Sequence, residues 1–172
     1  RFKNGEELQA EFAHVVKRSA IAESGDYNLS GDRYKAVADV LSDYELVALG
    51  DLVAIDNGNA FKSSEYVDDG ARVMRITNVQ KGEIVDDSPK FMALSRMGEF
   101  SKYELHPKDL LMSLTGNVGS VGVIDRDLLP ALLNQRVARL RPNETKILKE
   151  YLFNILNTDN FETAAIDSSS GI

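Results

Sequence analysis

The sequence contains no cysteine, and only two of its 172 residues are histidine. The first absence removes disulfide scaffolds and thiolate metal sites and fits a reducing compartment. The second leaves little scope for metal-assisted hydrolysis, since neither His14 nor His106 has a carboxylate or second histidine at ligand spacing. No metal site is expected. No nucleophile stands with a base at recognisable spacing either, so no catalytic residue is assigned. A P-loop would need Gly-Lys followed by Ser or Thr, and a dinucleotide fingerprint would need glycines that open a helix; both are missing. No apolar run approaches the ~20 residues of a membrane span, and the N-terminus lacks the regions of a signal peptide. The expectation is a cytoplasmic protein without a membrane partner.

An excess of positive charge is also missing. The net charge of −7 argues against tight binding of nucleic acid, whose affinity comes largely from Lys and Arg on phosphates. The acidity is unevenly spread, however. Lys62 to Lys149 carries fourteen basic and twelve acidic residues, and the remainder six basic and fifteen acidic. The middle is near neutral and the flanks are acidic. With 43% apolar and 27% charged residues the composition is globular, enough for one domain with an appendage or two very small ones.

What is present is concentrated in Leu110 to Pro142, LLMSLTGNVGSVGVIDRDLLPALLNQRVARLRP. An apolar run leads into a loop with Gly116, Gly119 and Gly122, and Val121, Val123 and Ile124 bring the chain back: strand, glycine loop, returning strand. After a turn at Pro130, Asn134 and Gln135 stand before Arg136–Leu140, another strand-like run closed by Pro142. Asn and Gln pair bidentately with adenine, Arg pairs with guanine or phosphate, and glycine admits close approach of backbone N–H groups to an anion. The stretch is equipped to touch nucleic acid. An ordinary hairpin with a polar tip uses the same residues.

Around it, Asn4 to about Ala22 reads as an amphipathic helix with a capping box at Asn4 and Glu7. Glu23 to Glu45 reads as a connector. From Val47 a new unit begins, with a helical turn at Leu49–Asp51, a turn at Asp56–Asn59, a strand over Ala71–Val79 carrying Arg72 and Arg75, a turn at Lys81-Gly82, and short strands near Phe91–Leu94 and Tyr103–Leu105. Beyond Pro142, Ile147, Leu148, Tyr151, Leu152, Ile155 and Leu156 outline one buried helix face with Asn143 as cap, and Asp159 or Asn160 caps a second helix. Glu144-Thr145-Lys146, with Asp127 upstream, has the acid-x-Lys form of some Mg²⁺ nucleases, but it falls at an apparent helix start, where an acid suits the dipole. Asp68-Asp69 and Asp86-Asp87 read as solvated loop acids.

Four ordered blocks, Asn57–Ser64 (NGNAFKSS), Arg75–Asn78 (RITN), Leu114–Gly116 (LTG) and Leu133–Ala138 (LNQRVA), resemble the target recognition domain of type I restriction-modification specificity subunits, over about Val47 to Ile166. Ile21 to Tyr34, IAESGDYNLSGDRY, is similar to the C-terminal end of the adenine-specific DNA methylases of those systems. The resemblance implies residues 1–44 as the helical end of a methylase and 45–172 as a recognition domain, α+β, with a twisted, mostly antiparallel sheet and flanking helices. It implies a non-catalytic fragment of a methyltransferase or restriction enzyme. The partners implied are double-stranded DNA, a methylase domain or subunit and, where the system cleaves, a restriction subunit. The methylase's catalytic and glycine-rich motifs are absent, so no cofactor is expected here and S-adenosylmethionine belongs to the associated methylase. The function implied is recognition of a half-site, positioning an adenine for the methylase. Arg75, Asn78, Asn134, Gln135 and Arg136 are the expected base or phosphate contacts. Asn57, Lys62, Ser63 and Ser64 are expected on the DNA backbone, approached closely by Thr115, Gly116, Asn117 and Gly119. A protein-interaction module that docks the methylase without reading bases remains open, as do buried amides that satisfy loop carbonyls.

Overall fold

The computed structural model describes residues 16–23, 25, 27, 29 and 47–169. The chain divides into two units, one of residues 1–45 and 170–172, the other Leu46–Ser169. Of the first, the described structure is chiefly one short helix, α1 (Arg18–Glu23). The rest of the helix expected from Asn4, its capping box, His14 and most of the Glu23–Glu45 connector lie outside the described residues.

The second unit is built on two four-stranded sheets. In the first, β1 (Val53–Asn57), β10 (Val137–Pro142), β7 (Leu110–Ser113) and β8 (Val121–Val123) lie side by side in that order, all antiparallel. In the second the order is β5 (Phe91–Met92), β2 (Ala71–Met74), β9 (Ala131–Leu133) and β6 (Glu104–Leu105). Its central pair, β2 and β9, is parallel. A hairpin of β3 (Val79–Gln80) and β4 (Glu83–Ile84) lies beside β8, held by the Gly82 N–H on the Val121 carbonyl. Two helices close the unit, α2 (Lys149–Leu156) and α3 (Asp159–Ser169). The fold is α+β and mostly antiparallel.

The twofold alternation of strand side chains sorts the core into three layers. Met74, Ala131 and Leu133 of the second sheet meet Leu111 and Val137 of the first in a shared cluster. Leu110, Val121, Ala138 and Leu140 turn to the opposite face of the first sheet, where Leu152 and Leu156 of α2 cover them. Ala71, Val73, Met92 and Leu132 form the third layer, with Phe61 and Phe100 packed edge to face over it at 5.0 Å. β9 is apolar at every position, buried throughout, because it faces two layers.

Several local expectations are corrected. Ala71–Val79 is not one strand: Asn78 accepts the Arg75 N–H on Oδ1 (3.0 Å) and donates Nδ2 to the Val85 carbonyl (2.9 Å), which folds Arg75–Asn78 into a turn between β2 and β3. Asn143 caps the turn at 144–146, accepting from the Thr145 N–H, while α2 starts later, at Lys149. Only Leu152 and Leu156 of its apolar residues are buried; Leu148 and Tyr151 are exposed. The cap of α3 is Thr158, whose Oγ1 accepts the Phe161 N–H. Asp86 is not a free loop acid but pairs with Arg72 at 3.1 Å. His106 does have a carboxylate near it, Asp109 at 3.9 Å, though the described residues hold no group of three potential metal ligands. No helix among them is long and apolar enough to cross a membrane.

Lys81, at the hairpin tip, ties α3 to the sheet through Asp159 (2.5 Å) and Glu162 (2.8 Å). Both acids sit in the first turn of α3, where the helix dipole also favours them. The hydrogen bond from Lys81 holds the Asp159 carboxyl below its ordinary 3.8, and those acids hold Lys81 above its ordinary 10.5. The depressed acid contributes at pH above about 4 and is lost as pH falls through its lowered value; the raised amine contributes below about 10.5 and is lost above it. Amide exchange in α3 should therefore accelerate, relative to β7, on acidification below pH ~4, and Lys81→Met should remove that pH dependence. Equal pH dependence in the variant would discard the tether.

Candidate nucleic-acid interface

The four sequence blocks meet at one corner, where β9 passes into β10 through Asn134, Gln135 and Arg136. The backbone of this corner binds each of the others. The Asn134 N–H donates to the Met74 carbonyl (3.2 Å), which brings in the Arg75–Asn78 turn. The Asn59 N–H donates to the Leu133 carbonyl (2.9 Å) and the Gln135 N–H to the Asn59 carbonyl (2.8 Å), a parallel bridge that fastens the end of β1. The Leu114 N–H donates to the Arg136 carbonyl (2.9 Å), which brings in the glycine loop. Asp56–Asn59 is thus a crossing from one sheet to the other rather than the turn its composition suggests.

Gly58 makes this crossing possible. A Cβ there would overlap the Asn134 carbonyl and stand 2.5 Å from the Leu133 carbonyl oxygen. Only a residue without a side chain lets the two backbones touch.

Arg75, Ile76, Thr77, Asn134, Gln135 and Arg136 line an open cleft of about 320 Å³. No carboxylate is among them. Gln135 and Arg136 are exposed, and no side-chain partner for either exists among the described residues. Asn134 is half-buried, with Oδ1 accepting the Arg136 N–H at 3.2 Å. Arg75 is half-buried too: it donates Nη2 to the Ser88 carbonyl at 2.6 Å, and its Nε is buried without a partner. Gly116 reaches the same corner at the loop tip, where a Cβ would stand 3.5 Å from the Ile76 Cδ1, with Thr115 and Asn117 exposed beside it. Ser113 fixes that loop from below, donating Oγ to the Asn117 carbonyl.

The other expected contacts lie elsewhere. Asn78 is 2% exposed and spends both ends of its amide on its own turn, so it holds Arg75 in place and has no edge to present. Gly119 is buried under α3; a Cβ would come within 2.8 Å of the Ala165 Cβ, and φ is +84°. It seats a helix rather than a ligand. Lys62, Ser63 and Ser64 are exposed at a 3₁₀ turn next to the Glu65–Arg96 ion pair, and no contact among the described residues ties their side chains to the corner. Asn57 opens into a neighbouring cleft with Lys102, Tyr103, Arg139 and Arg141. Gly58 and Thr77, not singled out by sequence, belong to the site. The Asn-Gly pair was visible as a turn signal, but its true use, backbone contact with a residue 76 positions away, had no local signature.

The neighbouring cleft is electrically spent. Arg139 donates Nε and Nη2 to Asp56 (3.1 and 2.9 Å) and Nη1 to Asp109 (3.3 Å) and the Glu104 carbonyl (3.0 Å), while Arg141 donates to the other Asp56 oxygen (2.7 Å). Burial works against the Arg139 charge, but the Asp56 hydrogen bonds and the Asp109 carboxylate outweigh it and hold the guanidinium above its ordinary value. Asp56 and Arg139 face each other across β1 and β10, so the pair also fixes strand register. Asp56→Ala should cost about 2 kcal/mol by leaving Arg139 half-compensated, less than a fully buried pair would lose. Denaturant unfolding checks this, and a loss under about 0.5 kcal/mol would rule the network out as a register lock.

The fold therefore presents its polar groups on loops gathered at a sheet corner, which is the layout of a recognition domain. Residues 41–171 match the type I restriction modification DNA specificity domain family, and the chain belongs to that family. Among solved structures, the crystal structure of the HsdS subunit from Thermoanaerobacter tengcongensis is similar at 20% identity and a TM-score of 0.50, over 74% of this chain and 33% of that one. A chain from a structure addressing complex assembly and conformational transition of the type I R-M system matches at 22% identity and a TM-score of 0.48, over 64% of this chain and 26% of that one. The chain thus spans about a third or less of these two solved chains. No curated protein matches it.

Proposed function

We propose that this domain reads a half-site in duplex DNA through the β9–β10 corner and so positions an adenine for a methylase of the same restriction-modification system. The observation that carries the reading is the convergence of Arg75, Thr77, Asn134, Gln135 and Arg136 on one cleft whose lining has no carboxylate, in a chain whose net charge is −7. Donors on loops at a sheet corner suit base edges, and the net negative charge leaves phosphate attraction to partners. On this reading residues 1–44 close a methylase domain fused to the reader, S-adenosylmethionine binds in that methylase, and a restriction subunit joins where the system cleaves. The setting is the cytoplasm. Exposed Leu148, just ahead of α2, and Tyr151 on it favour a second role alongside, docking of a protein partner.

Modified-base mapping in cells carrying the full-length protein tests the reading, against cells in which residues 47–169 are exchanged for a related domain. One half of the methylated motif should change. An unchanged motif would move DNA reading elsewhere and leave docking as the role.

A further inference from the structure

The amides and arginines at the corner are not equivalent once folded, and their free atoms define which base they suit. An amide pairs bidentately with adenine only if it offers a carbonyl oxygen and an NH₂ group together. Asn78 offers neither, being buried with both ends engaged. Asn134 accepts the Arg136 N–H on Oδ1, which keeps a second lone pair, and its NH₂ has no partner among the described residues. Arg75, anchored on the Ser88 carbonyl, and Arg136, without a partner among the described residues, are donors only. Gln135 keeps both ends of its amide, and the Thr77 hydroxyl, which also lines the cleft, both donates and accepts.

Among the cleft's polar side chains the two arginines are the ones that donate without accepting, and of the two it is Arg136 whose guanidinium has no partner among the described residues. In the major groove the edge that presents acceptors without a donor is that of guanine, at O6 and N7. We infer that the half-site read by this chain contains a guanine, contacted through O6 and N7 by the Arg136 guanidinium. The inference rests on the DNA-reading function proposed above and assigns it a base. Phosphate oxygens are the other acceptors such a cleft would take, and they carry no sequence information.

Selection from randomised duplexes by the native complex containing this chain, with wild-type and Arg136→Ala proteins in parallel, separates these cases. Because the Arg136 side chain has no partner within the described fold, the variant should fold, and a thermal melt verifies it. The expected result is that the variant loses preference at one position, that this position is guanine on either strand, and that 7-deazaguanine there weakens wild-type binding by about fivefold or more while leaving the variant indifferent. Loss of preference at an A·T pair, a uniform loss across all sequences with a shallower salt dependence, or no change in the variant would each overturn the inference. If the wild-type complex enriches no sequence, it is the DNA-reading function itself that fails.

Discussion

Arg136→Ala lowers the affinity of the native complex for its own recognition duplex by about 1–3 kcal/mol, roughly fivefold to a hundredfold, at an unchanged melting temperature. The reasoning is the division of labour within the residue. Its backbone carbonyl accepts the Leu114 N–H and its N–H donates to Asn134, and both survive truncation to alanine. The side chain is exposed at the cleft with no partner among the described residues, so its removal costs the fold little. Binding isotherms against the recognition duplex and a scrambled one, at fixed salt, provide the measurement. Equal losses on both duplexes would make Arg136 a phosphate contact, and no loss on either would remove it from the interface.

Gly58→Ala removes stability and DNA binding together. The added Cβ has no room: it meets main-chain carbonyls of Asn134 and Leu133, which cannot swing aside as the end of a side chain can. Relief requires the two backbones to part, which breaks the Asn59–Leu133 and Gln135–Asn59 hydrogen bonds and moves the base of the cleft. Overpacking of this kind costs about 1–3 kcal/mol, and each buried backbone group left unpaired adds to it. The melting temperature should fall by several degrees or more, and affinity should fall even well below the transition, where the variant is folded. A variant with wild-type stability would show that the crossing is not as tight as its geometry indicates. Preserved affinity in a destabilised variant would show that the corner does not set the interface.

Much of the fold was legible in the chain because its signals are local. The strand, glycine loop and returning strand of Leu110–Val123, the run closing at Pro142, and the turn at Lys81-Gly82 all follow from alternation and from residues that break it. The failures share a cause. Ala71–Val79 had the composition of one strand, but the Asn78 side chain competes for its backbone and turns it. The apolar rhythm from Ile147 to Leu156 promised one buried face, yet Leu148 is extended ahead of the helix and exposed with Tyr151, while Leu152 and Leu156 are buried and Ile147 packs partly buried beside them. Gly119, grouped with a binding loop by its neighbours in sequence, is needed against Ala165 of α3.

By itself the sequence determined the class of the protein. The order of four short blocks pointed to the family that the match over residues 41–171 then assigned. It also determined which residue types were available for recognition. Only the tertiary structure decided which of them stand together and which atoms they have left to offer. Asn78 and Asn134 are the same side chain in sequence, but Asn78 is buried with both ends of its amide engaged, while Asn134 is half-buried and accepts only the Arg136 N–H. Arg136 and Arg139 are three positions apart, but Asp56 on the neighbouring strand and Asp109 engage Arg139, while Arg136, just ahead of β10, has no side-chain partner among the described residues. The physical reason is that hydrogen-bond capacity and charge are spent pairwise, and the partners that spend them are brought together by long-range strand pairing, which leaves no mark within a local stretch of sequence.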